Sequence, residues 1–249
     1  MTGWNDLTAE LDQWRAAGRD ATLWWRDDDA TAPSDALDRL LALQRKHAAP
    51  LMIAVIPARA EPALAERLNG LTGISVVQHG WAHANHAPVG ASKAELGPDR
   101  PASLVLGELA RGQIVLDRLF GDWLRLLVPP HNRIARGLAP HLPEAGYVGL
   151  STYNPRRGAI PGLTQVNTHA DIMNWVTRAF GGEDAALTLA INHLRARRTG
   201  SADAEEPTGL LTHHLAHDAA AWAFTDRFLV TVAAHPAARL VDIRELCQP

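Results

Sequence analysis

The feature that most constrains this chain is a series of short, largely apolar runs, each ending in polar side chains and leading into an amphipathic stretch. The runs are TLWWR 22–26, LMIAVI 51–56, ISVVQ 74–78, RLLV 125–128, YVGLS 147–151, TQVN 164–167, GLLT 209–212 and RLVDI 239–243. A strand with one wet face alternates apolar and polar residues. Most of these runs are apolar at successive positions, as expected of parallel strands covered on both faces.

The intervening stretches carry helix signals. SDALDRLLALQRKHA 34–48 has Ser34 as N-cap, leucines at 37, 40, 41 and 43, and Pro50 just beyond its end. PALAERLNG 62–70 and SLVLGELARGQIVLDRLFG 103–121 end at glycines, and DAALTLAINHLRARRTG 184–200 and HDAAAWAFTDRFLVTVAAHP 217–236 follow. In the last of these, Asp218 suits the positive end of the helix dipole. Repeated strand–helix units predict an α/β fold: a distorted (β/α) barrel of about seven parallel strands, TIM-like, with an open doubly wound sheet as the alternative. TGSADAEEPTG 199–209 reads as a surface loop. With no internal repeat, one domain over 1–249 is the simplest organisation.

Composition narrows the function. Of 249 residues 47% are hydrophobic, enough for a sizeable core, and the net charge is -3. That balance argues against a nucleic-acid binder with a broad basic face. Cys247 is the sole cysteine, so neither a disulfide framework nor a cysteine zinc site can form, and with no base near it in the sequence, thiol catalysis is not expected. MTGWNDLTAELDQW lacks the pattern of a signal peptide, and no apolar run reaches bilayer length. The expectation is a soluble, cytoplasmic protein with no membrane or nucleic-acid partner; the sequence names no protein partner. There is no phosphate-binding glycine motif.

The strand ends carry the chemistry. Asp27, Asp28 and Asp29 follow TLWWR; His79, His83 and His86 follow ISVVQ; Pro129, Pro130, His131 and Asn132 follow RLLV; Thr152, Tyr153 and Asn154 follow YVGLS; His169 and Asp171 follow TQVN; His213 and His214 follow GLLT. In a barrel these positions meet at one mouth. Three adjacent carboxylates repel unless a cation neutralises them; otherwise the run is a helix-entry loop. Two histidines and a carboxylate form a zinc-type set that leaves a position open for water, with a second carboxylate as base. His79 and His83, four apart, would share one side of a helical turn. His86 falls in a loop and is expected to face substrate, and His213 to protonate a leaving group. Trp24, Trp25, Trp81 and Trp175 are either sugar-stacking surfaces or core, with core the simpler reading. His169, Asp171 and Asn174 are candidate pocket residues.

In order and spacing these pieces resemble the polysaccharide deacetylase family, carbohydrate esterase family 4, in divergent form. Its T-F-D-D-G motif is similar to WRDDDA, and its His-[Ser/Thr]-x-x-His motif to HGWAH with Gly80 at the hydroxyl position. R-x-P-P-Tyr looks like LVPPHNR without its arginine, for which Arg26 or Arg133 is the candidate replacement. Leu-x-His looks like LLTH, and D-x-x-D-W, which supports the histidine acid, is not evident after YVGLS. The resemblance implies a divalent metal, zinc foremost, on Asp29, His79 and His83. It also implies Asp28 as base, His213 as acid and the His131 N–H beside the oxyanion, with Pro130, Asn132 and Trp81 near substrate. The other register takes Asp27 and Asp28. The implied reaction is hydrolysis of an N-acetyl group on an amino sugar or oligosaccharide by metal-bound water. Hydrolysis of another C–N bond, in a cyclic amide or ureide, or sugar binding by a decayed site, are the alternatives.

Overall fold

The computed structural model describes residues 1–247. Its elements run α1 (Trp4–Ala16), β1 (Ala21–Ala30), α2 (Asp35–His47), β2 (Leu51–Val55), α3 (Pro62–Leu68), β3 (Ile74–His79), α4 (Ala102–Leu119), β4 (Leu126–Val128) and β5 (Gly149–Leu150). They continue through β6 (Thr164–Gln165), β7 (Ala170–Asp171), a hairpin of β8 (Met173–Asn174) and β9 (Ala179–Phe180), α5 (Glu183–Thr199), β10 (Thr208–Thr212), α6 (Ala219–Ala234), β11 (Ala238–Leu240) and α7 (Ile243–Leu246).

The main sheet has the order β6-β5-β4-β3-β2-β1-β10-β7, with every pair parallel. Its two ends belong to one stretch of chain. The N–H groups of Thr164, Val166 and Thr168 donate to the carbonyls of Val148, Leu150 and Thr152, and the next N–H, of His169, donates to Gly209 on β10. The sheet thus closes into a distorted barrel. Counting that shared stretch once gives seven parallel staves, as predicted.

Strand alternation sorts the side chains. Trp24, Met52, Ala54, Val77, Leu126, Val128 and Val166 form the interior cluster, while Trp25, Leu51, Ile53 and Val55 pack outward against the helices. Both β1 tryptophans are 1% exposed, so they are core and not sugar platforms. By the same alternation Arg26 and Asp28 point inward with Trp24, and Asp27 points outward with Trp25. At the N-terminal end β11 pairs with Ala21–Leu23 of β1, and Val241, Ile243 and Cys247 close the barrel floor.

The predicted elements need several corrections. β1 continues to Ala30, taking all three aspartates into the strand. RLVDI stops being strand at Leu240, where Asp242 caps α7. YVGLS and TQVN shrink to two-residue strands. α1, which the sequence reading left unassigned, buries Trp4, Leu7, Leu11 and Trp14 as one stripe. α2 starts as expected, Ser34 Oγ accepting from Leu37 N–H at 3.1 Å. α6 starts at Asp218, which accepts from Ala221 N–H at 2.8 Å. Among the described residues no helix is long and apolar enough to cross a membrane.

Candidate metal centre and active site

A bulge in β1 builds the mouth of the barrel. The pairing with β2 slips between Asp27 and Ala30, and Asp29 adopts a left-handed conformation (φ 75°). The extra residue re-aims the Asp29 carboxylate, which alternation would have sent outward. Its Oδ1 lies 3.2 Å from His79 Nε2 and 3.4 Å from His83 Nε2. Four-coordinate zinc with bonds of about 2.1 Å separates its ligand atoms by about 3.4 Å, so Asp29 Oδ1 already sits at ligand spacing from each histidine nitrogen, and all three atoms lie within 4.8 Å of one another.

Protonation supports the same fit. His79, at the inner end of β3, donates Nδ1–H to Val128 O at 3.0 Å, which leaves Nε2 facing the carboxylate. Asp29 Oδ1 is buried and has no hydrogen-bond donor. With no ion between them a proton on His79 Nε2 would bridge the two atoms, and a metal cation would take that proton's place. Burial opposes charge on His79, but the carboxylates of Asp28 and Asp29 outweigh it and raise its pKa. Burial would likewise raise Asp29, yet His79, His213 and His83 hold it well below the carboxylate range. Burial and the neighbouring His79 lower His83, keeping a ligand lone pair free. His83 is not on a helical turn, as its spacing suggested. The segment after β3 is irregular, with Gly80 at φ 56° and His83 at φ 58°.

The three aspartates differ in direction. Asp27 is fully buried outside the barrel, where it accepts from Thr212 Oγ1 at 2.6 Å and His214 N–H at 3.0 Å and pairs with His214 Nδ1 at 2.5 Å. These contacts tie it to the end of β10. Asp28, 1% exposed, faces inward and is gripped on both oxygens by the fully buried Arg26, Nε–Oδ1 3.0 Å and Nη2–Oδ2 3.1 Å. Arg26 also donates to Ser151 Oγ at 2.7 Å, to Thr152 O at 3.3 Å and to Asn132 Oδ1 at 2.5 Å. One guanidinium therefore ties the end of β1 to the loops after β4 and β5. Arg133 instead lies outside, donating to Lys93 O.

The loop after β4 bends through two left-handed residues, His131 (φ 59°) and Asn132 (φ 55°). Such residues cost on the order of 1–3 kcal/mol each unless held, and here Arg26 holds Asn132. Pro129 O and Pro130 O accept from Asn132 and Arg133, while the His131 N–H has no protein acceptor among the described residues. The His131 ring stands edge-on to His83 at 4.5 Å. Burial, then the charges of His83 and His79, lower its pKa to about 4.

His213 projects from the end of β10 with Nε2 3.9 Å from Asp28 Oδ2. Trp175 stands edge-on against it at 4.4 Å, and Trp175 Nε1 donates to Asp171 Oδ2 at 2.7 Å. Burial raises Asp171, with His213 pulling it back. The stretch Asp171-Ile172-Met173-Asn174-Trp175 therefore has the D-x-x-D-W spacing that seemed missing, with Asn174 at the second acid. It was overlooked because it lies after β7 and not after YVGLS. Asn174 itself braces the hairpin turn, accepting from Val176 N–H.

Three candidates fall outside the mouth. His86 is exposed in the loop before α4, its N–H on Ala94 O. Trp81 is half-buried under the Arg111 guanidinium, 5.1 Å from its ring. His169, expected to line the pocket, stacks on His193 of α5 at 3.3 Å, with Nε2 3.6 Å from Glu206 Oε1. That second His-His-Glu group is a poor metal site. Gly209 N–H donates to His169 Nδ1, so the proton sits on Nε2, and two parallel stacked rings do not converge on one ion.

The closed barrel has the fold of solved polysaccharide deacetylases. No family model and no curated relative matches the chain. Solved structures do. A candidate polysaccharide deacetylase from Mycobacterium smegmatis superposes with a TM-score of 0.65 at 17% identity, over 92% of this chain and 90% of that one. The peptidoglycan deacetylase PdaC from Bacillus subtilis gives 0.57 at 15%, over 91% and 90%. A family 4 acetyl xylan esterase from Clostridium thermocellum, solved with a cobalt ion, gives 0.54 at 13%, over 90% and 89%.

Proposed function

We propose that this protein is a metal-dependent hydrolase that removes an N-acetyl group from an amino sugar or oligosaccharide. The observation that carries the reading is the single mouth formed by Asp29, His79 and His83, with Asp28 and His213 facing each other beside them at 3.9 Å. The Asp29–His79–His83 set suits zinc, and a bound divalent cation would polarise the acyl oxygen and acidify water at its open position. Asp28, held by Arg26, accepts the proton of the attacking water. The free N–H of His131 donates to the oxygen on which negative charge develops. His213 Nε2 hands a proton to the departing nitrogen as the C–N bond breaks, giving acetate and an amine. Trp175 and Asp171 fix the face that His213 presents. Similarity to a peptidoglycan deacetylase and to an acetyl xylan esterase supports acetyl transfer to water on carbohydrate.

The test is metal content together with acetate release from acetylated chito-oligosaccharides, with acetyl esters and ureides as rival substrates. Release of acetate from the acetamides, abolished together with metal in His79→Ala, is expected. A metal-loaded protein that frees no acetate from any acetamide sinks the reading, and turnover of ureides alone replaces it.

A further inference from the structure

Glu95 lies in the loop between β3 and α4, in a segment no catalytic motif covers, yet it is fully buried. Its Oε1 accepts from Ala82 N–H at 2.7 Å and its Oε2 from Trp81 N–H at 3.2 Å. Those are the two residues between Gly80 and His83. A Cβ at position 80 would lie 2.2 Å from Glu95 Oε2 and 2.5 Å from Pro130 Cδ, in a backbone with φ 56°. The carboxylate thus occupies the space where a hydroxyl-bearing side chain would stand, which explains Gly80. Its flanks are pinned: Ala94 N–H donates to Asn85 Oδ1 at 3.0 Å, and Leu96 O accepts from Ala135 N–H at 2.7 Å. Among the described residues no lysine or arginine lies within salt-bridge distance of Glu95. Arg100, which feels its charge, is paired with Glu108 at 2.7 Å, so the two backbone N–H groups are the direct partners of the buried carboxylate.

We infer that Glu95 is a positioning residue for the metal turn: it locks residues 80–83 so that His83 meets Asp29. This inference rests on the metal reading above.

The experiment strips metal from the full chain with a chelator and titrates Co2+ by calorimetry and visible absorption. Wild type, Glu95→Gln, Glu95→Ala and Glu10→Ala are compared. Glu95→Ala should weaken Co2+ binding by about 10–100-fold, the usual effect of losing an outer-shell partner, and alter the absorption bands as His83 shifts. The isosteric Glu95→Gln should weaken it by about tenfold. Glu10 is buried between Arg195 and Arg198, away from the mouth, so Glu10→Ala should lose stability and keep the wild-type Kd. If Glu95→Ala does not fold, Glu95→Gln carries the test. Wild-type Kd and spectrum in Glu95→Gln overturn the inference, whereas a wild type that binds no Co2+ overturns the metal reading instead.

Discussion

Removing Arg26 tests the site at its most connected point. Arg26 is fully buried, and both oxygens of Asp28, 1% exposed, depend on it. Arg26→Met strips the guanidinium paired with that carboxylate and leaves Asn132 Oδ1 and Ser151 Oγ without their donor. Breaking a buried pair by deleting one member costs about 3–5 kcal/mol, because the other charge stays behind. For a chain of this size that corresponds to a fall of about 6–20 °C in Tm. Turnover should fall by about 10²–10⁴-fold, the worth of a positioned base, with a smaller change in KM. The assays are thermal unfolding by circular dichroism and acetate release on the same samples. The double variant Arg26→Met/Asp28→Leu removes the stranded charge as well, so it should regain most of the lost stability while staying inactive. Two results refute the reasoning: an Arg26→Met protein as stable as wild type, or a double variant whose losses simply add.

Further outcomes follow from the same geometry. Asp27→Asn should cost about 1–3 kcal/mol through its lost acceptor sites and leave metal content unchanged, whereas Asp29→Asn should abolish metal binding without destabilising the metal-free chain; metal loss in Asp27→Asn would reverse the register. Burial, then the neighbouring His169 and Arg197, push His193 down from 6.5 to about 2, so below pH 6.5 the unfolded chain takes up a proton that the folded chain refuses. Stability should therefore fall on acidification by about 1.4 kcal/mol per pH unit from this residue, a slope that His193→Phe should flatten in Tm measured against pH. Gly209→Ala would place a Cβ 2.8 Å from Asn167 O and Thr168 Cα, and should lower stability by about 1–3 kcal/mol in denaturant titration because backbone has nowhere to move.

What the sequence made legible depended on whether the signal was local. The staves were visible because a covered parallel strand must be apolar at successive positions, and Ser34 and Asp218 marked helix starts because capping is decided within three residues. His79, His83 and Asp29 were nameable from spacing and residue type. His169 was misassigned because the stretch after β6 keeps going, leaving the β5 side to pair with β10, and its ring ends under α5. Glu95 gave no signal at all, since nothing local distinguishes an acid that will be buried from one that stays wet. The aspartate run shows the division most plainly. Alternation along β1 assigns Asp28 to the interior and Asp27 to the outer face, and that much follows from Trp24 and Trp25. It also assigns Asp29 to the outer face, away from His79 and His83. Only the slip against β2 and the left-handed turn at Asp29 bring it round. Two neighbouring carboxylates can thus hold different posts at one mouth because the strand is regular up to the first and broken at the second.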